Sequence, residues 1–347
     1  MAVSLAGDIG GTKTLLRLSR TTGSGSNSTL EPLLERRYAS ADFPDLVPIV
    51  RQFCREAEQQ GQLQAGELKT ACFAIAGPVV NDTAKLTNLV WELQTGRLER
   101  ELKLERARLI NDFAAIGYGV TALPAKDLAT LQKAPTQPKA PIAVIGAGTG
   151  LGEAYLAWEG DRYQVRPSEG GHAGFAPHSE VEVRLLEYLL QRHERVSVER
   201  VVSGQGIVAV YQFLRDTEFA PEREDIAKAV RHWEQNRSAD AAAAISQAAA
   251  DESDRLCVET LSTFVAAYGS AAGDFAVTVL PYGGLFVAGG IAPKILPMLQ
   301  KSDRFIKAFR HKGRLSPVLE KIPVRVVLDP KVGLLGAARV AARLKRS

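Results

Sequence analysis

The sequence predicts an α/β protein with two domains around a central cleft. The chain has 347 residues, which allows roughly two domains. Two segments, one in each half, have the pattern of a strand, a glycine-rich turn and a second strand: residues 3–20 and residues 142–158. Helical segments separate the short apolar runs that are typical of buried strands. Two similar openings indicate a pseudo-repeated fold in which each glycine turn faces the same ligand.

The composition excludes several classes of protein. Hydrophobic residues make up 46% of the chain and charged residues 24%, as in globular proteins. The net charge of +4 is small and no basic run contains interleaved aromatics, so we expect no nucleic-acid partner. Residues 275–291 form the longest apolar stretch, but Pro281, Gly283 and Gly284 interrupt it, so we expect no membrane span.

Cysteine usage and the N-terminal sequence indicate the compartment. The three cysteines lie far apart without a C-x-x-C pair, so neither a zinc cluster nor a disulfide framework is indicated. No cationic segment followed by an apolar core opens the chain as a secretion signal. We therefore expect a cytoplasmic protein, and its apolar content permits a homodimer without requiring one.

Local signals predict the elements of the first half. A helix is expected over residues 42–60, with Asp42 as its N-cap and Gly61 just beyond its end. A buried strand is expected over residues 71–76. Another strand ends at Ile110 and leads into a helix over residues 113–119.

The second half is predicted in the same way. The proline-rich residues 123–141 are expected to be a connection. A capping box of Ser179 and Glu182 begins a helix that ends near Gln191. The expected elements that follow are helices within 223–274, strands at 285–288 and 324–328, and a helix over 331–346, in which Gly333 and Gly336 permit close packing. The domains are expected at 1–122 plus 328–347, and at 123–327.

The first glycine turn suggests a phosphate site. Glycines let backbone N–H groups approach an anion closely, and the carboxylate of Asp8 beside them suggests a polyphosphate with a divalent metal. A Walker A loop is rejected because Thr12 takes the place of its second glycine and a strand, not a helix, follows. The alternative is an ordinary glycine hairpin.

The second glycine turn, residues 146–152, also suits a phosphate. It is not a dinucleotide fingerprint, because Leu151 takes the place of the third glycine and a strand follows. Thr149 adds a hydroxyl group to the N–H groups of the loop. The alternative is a tight structural turn.

Polar side chains at three further places are candidates for substrate binding. Asn111 and Asp112 lie between a strand and a helix, where Asp112 is either a plain N-cap or a functional acid. Glu169 and His172 flank a glycine pair, and such side chains suit the recognition of vicinal hydroxyl groups. Glu199 is either another hydroxyl acceptor or an exposed residue at a helix start.

Taken in order, these motifs resemble those of a known family. The motifs are residues 7–12 (GDIGGT), 110–113 (INDF), 146–152 (GAGTGLG), 169–172 (EGGH), 199–201 (ERV) and 288–291 (AGGI). Together they resemble the bacterial glucokinase family, within the superfamily of hexokinase, actin and the heat-shock chaperone ATPases. The resemblance runs nearly end to end and implies the ribonuclease-H-like fold of that superfamily.

The resemblance implies an ATP-dependent kinase for the 6-hydroxyl of glucose, with a role for each matching residue. Asp112 resembles the catalytic base. The implied sugar ligands are Asn111, Glu169, His172, Glu199 and, as an additional candidate, Asn88. The implied nucleotide ligands are Gly7, Asp8, Ile9, Gly10, Gly11, Thr12, Lys13, Gly148 and Thr149 at the phosphates, and Gly289 and Gly290 at the adenosine. Asp8 is expected to hold Mg²⁺ through water, because Mg²⁺ sheds water reluctantly.

Closure of the two domains would bring these groups together. Other readings stay open: a kinase for fructose, mannose or an N-acyl amino sugar, a non-catalytic sugar sensor or, more remotely, an actin-like filament protein. The cysteine-rich zinc motif of the sister repressor–kinase family is missing, so no zinc is expected. The first strand begins near Val3, so we expect no DNA-reading helix-turn-helix before it.

Overall fold

The computed structural model describes residues 2–22, 29–86, 89–236 and 240–344. The chain forms two compact units, Met1–Pro124 with Asp329–Ser347, and Ala125–Leu328. The limits expected from the sequence lie within two residues of these. No helix within the described ranges has the length and apolarity needed to cross a lipid bilayer.

The first unit contains a twisted sheet in which three strands run parallel. Its strands are β1 (Ala2–Ile9), β2 (Lys13–Thr22), β3 (Thr29–Ala39), β4 (Leu68–Ile75) and β8 (Arg106–Asn111), and a separate small sheet holds β5 (Val79–Val80), β6 (Thr83–Lys85) and β7 (Glu92–Gln94). The order in the large sheet is β3-β2-β1-β4-β8. β1 and β2 form an antiparallel hairpin, which confirms the predicted strand, glycine turn and strand.

The register of the parallel strands aligns their carboxyl ends. β4 pairs in parallel with both β1 and β8, and Ile9, Ile75 and Asn111 lie in one row across the three strands. Neighbouring strands are about 4.8 Å apart, so roughly 10 Å separates the ends of β1 and β8. The glycine turn after β1 and the residues after β8 therefore share one edge of the sheet.

The helices of the first unit are α1 (Leu46–Gln59), α2 (Thr95–Leu102), α3 (Asp112–Val120) and α12 (Val332–Arg343). The prediction that Asp42 caps α1 is wrong, because the helix begins at Leu46 and the side chain of Asp45 accepts the N–H of Leu46 at 2.8 Å. Phe43 is extended, as expected for a residue before proline, so the chain cannot be helical from Asp42 onward. Gly61 follows the helix in the left-handed region, φ +69°, as predicted.

Helices α3 and α12 approach each other through glycines. A Cβ on Gly336 would lie 1.8 Å from the carbonyl oxygen of Ala115, and a Cβ on Gly119 would lie 2.1 Å from that of Val332. Gly336 therefore permits the predicted close packing. The prediction fails for Gly333, where a Cβ would make only an ordinary contact.

The sheet of the second unit repeats the parallel arrangement. Its strands are β9 (Leu128–Gln132), β10 (Ile142–Ala147), β11 (Leu151–Glu159), β12 (Arg162–Ser168), β13 (Gly284–Ala288) and β14 (Val324–Val327). Their order is β12-β11-β10-β13-β14-β9, with β10, β13 and β14 parallel. The expectation that residues 123–141 are only a connection is wrong, because β9 lies within them and pairs antiparallel with β14.

A long buried helix, α8, organises the second unit. The helices are α4 (Glu180–Leu190), α5 (Gly204–Asp216), α6 (Glu224–Asn236), α7 (Asp240–Ala250), α8 (Arg255–Val279), α9 (Leu296–Lys301), α10 (Arg304–Arg310) and α11 (Ser316–Leu319). The side chain of Ser179 caps α4 as predicted. Gly269 and Gly273 let α10 pack directly against the backbone of α8, since a Cβ on either would lie within 2.3 Å of an α10 carbonyl oxygen.

Candidate active site

The first glycine turn lies at the carboxyl edge of the parallel strands. The N–H of Gly10 donates to the carbonyl of Lys13 at 3.0 Å and closes the turn. Ser40 supports the turn from outside, because its hydroxyl donates to the carbonyl of Gly10 at 2.9 Å and its N–H donates to the carbonyl of Thr12 at 3.1 Å. Nothing in the local sequence marked Ser40, since it is brought to the turn by the pairing of β3 with β2.

The predicted phosphate ligands of this turn divide by position. Gly7 lies inside β1, and a Cβ there would meet the ring of Phe73 at 2.7 Å, so this glycine admits a core side chain. Ile9 is buried in the core as well. Asp8 is half-buried, Gly10 and Gly11 lie at the bend, and Thr12 and Lys13 are exposed. Burial raises the pKa of Asp8, and the nearby Lys13 ammonium opposes that rise.

Asn111, not Asp112, is the N-cap of α3. Its Oδ1 accepts the N–H groups of Phe113 at 2.9 Å and Ala114 at 3.2 Å, and its Nδ2 donates to the carbonyl of Gly77 at 3.1 Å. The plain-cap interpretation of Asp112 is therefore wrong. Asn111 performs that structural role, which leaves one N–H of its amide for a substrate.

Asp112 occupies the first position of α3 with a half-buried carboxyl group. Its Oδ1 accepts the N–H of Phe113 at 2.8 Å, which fixes the orientation of the carboxyl. The pKa of Asp112 is raised to about 6, mainly by desolvation and in smaller part by the charge of Asp8, while hydrogen bonds to the carboxylate oppose the rise. The structure thus brings Asp8 and Asp112 to one edge of the sheet, and it raises the pKa of Asp112 toward neutral pH.

In the second unit, two glycine turns meet where β10 and β13 end. The N–H of Gly148 donates to the carbonyl of Gly150 at 2.8 Å. Gly289 has a φ of +82°, and a Cβ there would lie 2.4 Å from the carbonyl oxygen of Ala147. The hydroxyl of Tyr268 on α8 accepts the N–H of Ala147 at 3.0 Å, which ties the end of β10 to the buried helix.

A helix N-terminus adjoins the glycine turn at residues 146–152. Ser203 caps α5 by accepting the N–H of Gly206 at 3.1 Å, and the N–H of Gly204 donates to the carbonyl of Gly148 at 2.8 Å. The N-terminus of a helix favours anions through its free N–H groups and its dipole. Sequence reasoning missed this helix start, although Ser203 followed by glycines was a usable signal.

A cavity of about 700 Å³ opens beside these turns. Three of the predicted nucleotide ligands lie on its wall: Gly148, Thr149 and Gly290. Gly289 is not among the wall residues, and its Cα packs against the carbonyl of Ala147. Further wall residues that sequence reasoning missed are Gln205, Trp233, Ser246, Gln247, Ile291 and Lys294. An apolar cavity that ends in glycine turns suits a flat base with a phosphate tail.

The predicted sugar ligands of the second unit lie near the glycine turn at residues 146–152. Oε2 of Glu199 accepts the N–H of Leu151 at 2.8 Å, and its Oε1 lies 4.0 Å from Nδ1 of His172. The N–H of His172 donates to the carbonyl of Glu169 in a 3-10 turn, and the side chains of both residues are exposed. Glu199 is therefore not a solvated helix start. Gly150 leaves room for this carboxylate, because a Cβ there would lie 2.3 Å from Oε2 of Glu199 and displace it.

One predicted sugar ligand, Asn88, lies outside the described residues.

The predicted metal ligand is the carboxyl of Asp8. Within the described ranges, no group of three or more histidine, cysteine, aspartate or glutamate side chains is placed to hold a metal ion. The single carboxyl of Asp8 beside the first glycine turn fits Mg²⁺, which commonly keeps its waters and binds through one or two carboxylates and substrate phosphates.

Two α/β units with glycine turns at the ends of parallel strands define the class of phosphotransferases built like actin and hexokinase. The structure superposes on that of a glucokinase from an Antarctic psychrotroph with a TM-score of 0.82 and 29% identity, covering 99% of this chain and 100% of the other. A ROK family glucokinase of Streptomyces griseus, solved with glucose and AMPPNP, shares the fold with a TM-score of 0.59 and 22% identity, covering 99% and 100% of the two chains.

The sequence comparisons agree with the fold. The family model described as Glucokinase matches residues 5–344. A glucokinase of Trichormus variabilis is 56% identical over 99% of this chain and 100% of its own length. The chain belongs to the glucokinase family. The predicted fold and family are thereby confirmed.

Proposed function

We propose that this chain transfers the γ-phosphoryl group of ATP to the 6-hydroxyl of glucose, with Asp112 as the base. The observation that carries this assignment is the carboxyl of Asp112, held by the N–H of Phe113 at the carboxyl edge of the sheet, with a pKa raised by burial to about 6. A base is most effective when its pKa lies near the working pH. Membership of the glucokinase family supports the choice of substrates.

Asp112 accepts the proton of the 6-hydroxyl as its oxygen attacks the γ-phosphorus. A positioned base contributes about 10²–10⁴-fold, so most of the acceleration comes from positioning and electrostatic stabilisation. The carboxyl is already oriented by a backbone N–H, so little reorganisation accompanies the proton transfer. The nearby charge of Asp8 favours proton uptake, because it destabilises the ionised form of Asp112.

The sugar is held by hydroxyl contacts to Glu169, His172 and Glu199. Oε1 of Glu199 accepts a hydrogen bond from a sugar hydroxyl, while Oε2 accepts the N–H of Leu151. The ring of His172, 4.0 Å away, donates or accepts at the neighbouring hydroxyl. A sugar epimer leaves one of these polar groups unpaired, which is a strong basis for discrimination. Asn111 contributes its remaining amide N–H.

The nucleotide binds through main-chain groups. The N–H groups of Gly10 and Gly148 close their own turns, so Gly11 and Thr149 are the residues whose N–H groups meet the phosphates. Gly290 borders the adenosine on the cavity wall, with Gly289 next to it in the chain. Asp8 would hold Mg²⁺ through water, and the ion would neutralise phosphate charge. We also propose a cytoplasmic enzyme whose three cysteines stay reduced. The apolar content permits a homodimer without requiring one, and size-exclusion chromatography with light scattering distinguishes it from a monomer.

A sugar panel in a coupled ADP assay tests the function. We expect ADP formation with glucose and much less with fructose, mannose or N-acetylmannosamine. A faster reaction with one of these would identify a different hexose kinase, and binding of glucose without ADP formation would identify a sugar sensor.

Substitution of Asp112 tests the mechanism. Asp112→Asn keeps the acceptor for the N–H of Phe113 but cannot take up a proton. We expect turnover to fall at least about 10²-fold while nucleotide binding, measured by calorimetry, is retained. Near-normal turnover in this variant would remove Asp112 from the role of base.

A further inference from the structure

A second cavity lies behind the loop that carries Glu169 and His172. It has a volume of about 370 Å³, room for roughly a dozen water-sized groups. Its walls come from β11, from the loop at Gly170–Phe175 and from α8, and they are mostly apolar. Representative wall residues are Ala173, Phe175, Val198, Ala271 and Phe275. We call it the ammonium cavity, and it shares no wall residue with the cavity of about 700 Å³ beside the glycine turns.

One carboxyl group lies at the inner wall of this cavity. Glu153, on β11, is only 8% exposed. Across the described ranges, no hydrogen bond or ion pair to its carboxylate is present. Gly170 makes room for the carboxylate, since a Cβ at that position would lie 1.9 Å from Oε2 of Glu153. Buried acids are rarely left without a partner, because desolvation of an unpaired charge is costly.

The other charged groups at the cavity are already neutralised. Asp274 at the rim pairs with Lys312 at 2.6 Å and lies 3.6 Å from the ring of His178. Lys312 is itself buried and also donates to the carbonyl and hydroxyl of Ser270, so its ammonium is committed to this corner. Glu153 is the ionisable group at this cavity that has no counterion among the described residues. Burial is the cause that raises its pKa, to about 7.

We propose that this cavity binds a small organic ammonium ion, with its charge on the carboxylate of Glu153 and its apolar body against Ala271 and Phe275. The cavity offers what such a ligand needs: one buried anion, the hydroxyl groups of Ser168 and Ser270 as further acceptors, and an apolar wall. A metal ion is a poorer fit, because no cluster of three ligating side chains exists in the described part of the chain.

A ligand in this cavity would contact the loop that carries Glu169 and His172. Gly170 and Ala173, which bracket His172, are part of the cavity wall. A bound ammonium ion restrains this loop, and we expect the KM for glucose to change while the KM for ATP does not. This consequence rests on the proposed function, whereas binding itself does not.

Titration calorimetry at pH 8 tests the proposal without any use of turnover. The probes are n-butylammonium and benzylammonium, with n-butanol and benzyl alcohol as neutral controls of the same shape. We expect the ammonium ions to bind and the alcohols to bind at least about tenfold more weakly, as for loss of a charged hydrogen bond. Binding should weaken below pH 7, where Glu153 becomes protonated.

Two variants and a matched control assign the site. Glu153→Gln should weaken ammonium binding at least about tenfold, and Ala271→Phe should abolish it by filling the cavity while Glu153 stays intact. Glu159→Gln, which removes an exposed carboxylate from the same strand where it pairs with Arg166, should bind as the wild type does.

Three outcomes would overturn the proposal: equal binding of alcohols and ammonium ions, undiminished binding in Glu153→Gln, or no binding of any probe to the folded wild type. Because calorimetry reports binding alone, the outcome is independent of whether glucose is the substrate. Conversely, an inactive enzyme that still binds benzylammonium through Glu153 would refute the proposed function and leave the cavity assignment standing.

Discussion

A single methyl group at Gly336 is expected to disturb both the stability of the first unit and the position of Asp112. A Cβ at Gly336 would lie 1.8 Å from the carbonyl oxygen of Ala115 and 2.7 Å from the amide nitrogen of Gly119. Ordinary contact begins at 3.4 Å, so α3 and α12 must separate by about 1.6 Å, the difference between 3.4 and 1.8. Backbone on both sides of the contact leaves no flexible side chain to absorb the shift.

The displacement reaches the site because Asp112 starts α3 one turn before Ala115. Overpacking of this kind typically costs about 1–3 kcal/mol, which urea unfolding of Gly336→Ala would measure. A misplacement of about 1 Å can lower turnover by about 10²-fold. We therefore expect kcat to fall by one to two orders of magnitude in the coupled ADP assay.

Gly333→Ala is the matched control on the same helix. A Cβ there would meet only a methylene carbon of Ile116, at 3.7 Å, so nothing has to move. Replacing a helical glycine with alanine should raise the free energy of unfolding by about 0.5–1 kcal/mol and leave kcat unchanged. If Gly336→Ala matched Gly333→Ala in both stability and kcat, the reasoning about close packing would be refuted.

Three further predictions concern the site and its supports. The kcat/KM for glucose should rise about tenfold per pH unit up to about pH 6 and then level, because Asp112 of the free enzyme must be ionised to accept a proton; a flat kcat/KM profile from pH 5 to 8 would contradict this. Tyr268→Phe leaves the N–H of Ala147 without a partner and should cost about 1–3 kcal/mol by urea unfolding, and raise the KM for ATP more than that for glucose; equal changes would argue against a local role. Asp45→Ala should cost about 0.5–2 kcal/mol through loss of the α1 cap, with neither KM altered; a raised KM would indicate that α1 acts on the site.

Elements marked by glycine and by short apolar runs were predictable, and those set by distant partners were not. Apolar runs on either side of a glycine turn predict the β1–β2 hairpin and the β10–β11 hairpin, and both are confirmed. β9 was missed because it is short and at a sheet edge, and it is fixed by pairing with β14 nearly two hundred residues later. The cap of α1 was misplaced because Asp42 and Asp45 are equal candidates until the extended residue before Pro44 decides between them.

The candidate site shows the same division. The sequence placed Asn111 and Asp112 between a strand and a helix, but the choice of cap depends on which side chain points at the free N–H groups. The raised pKa of Asp112 depends on burial and on Asp8, more than one hundred residues away in the chain. Such properties come from the alignment of β1 and β8 in the sheet, which no single-sequence motif encodes.

The buried acid of the ammonium cavity makes a separate prediction about stability. Burial raises the pKa of Glu153 to about 7, above the ordinary value of a glutamate in the unfolded chain. The folded state therefore binds a proton more tightly than the unfolded state, and stability falls as pH rises toward 7. In this window the free energy of unfolding falls by about 1.4 kcal/mol for each pH unit. Between pH 5.5 and pH 8, the stability of Glu153→Gln relative to wild type should therefore increase by about 2 kcal/mol.

Unfolding curves of wild type, Glu153→Gln and Glu159→Gln across this window separate a buried acid from a general pH effect. Glu159 is exposed and paired at the surface, so its substitution should leave the pH dependence of wild type intact. A Glu153→Gln protein with the same pH dependence as wild type would mean that the carboxylate is solvated or paired. A gain confined to Glu153→Gln would show that this chain keeps a destabilising charge, and adding benzylammonium to wild type at pH 8 should then recover part of that stability by mass action. Such recovery should be absent in Glu153→Gln, because a ligand stabilises the folded state only where it binds.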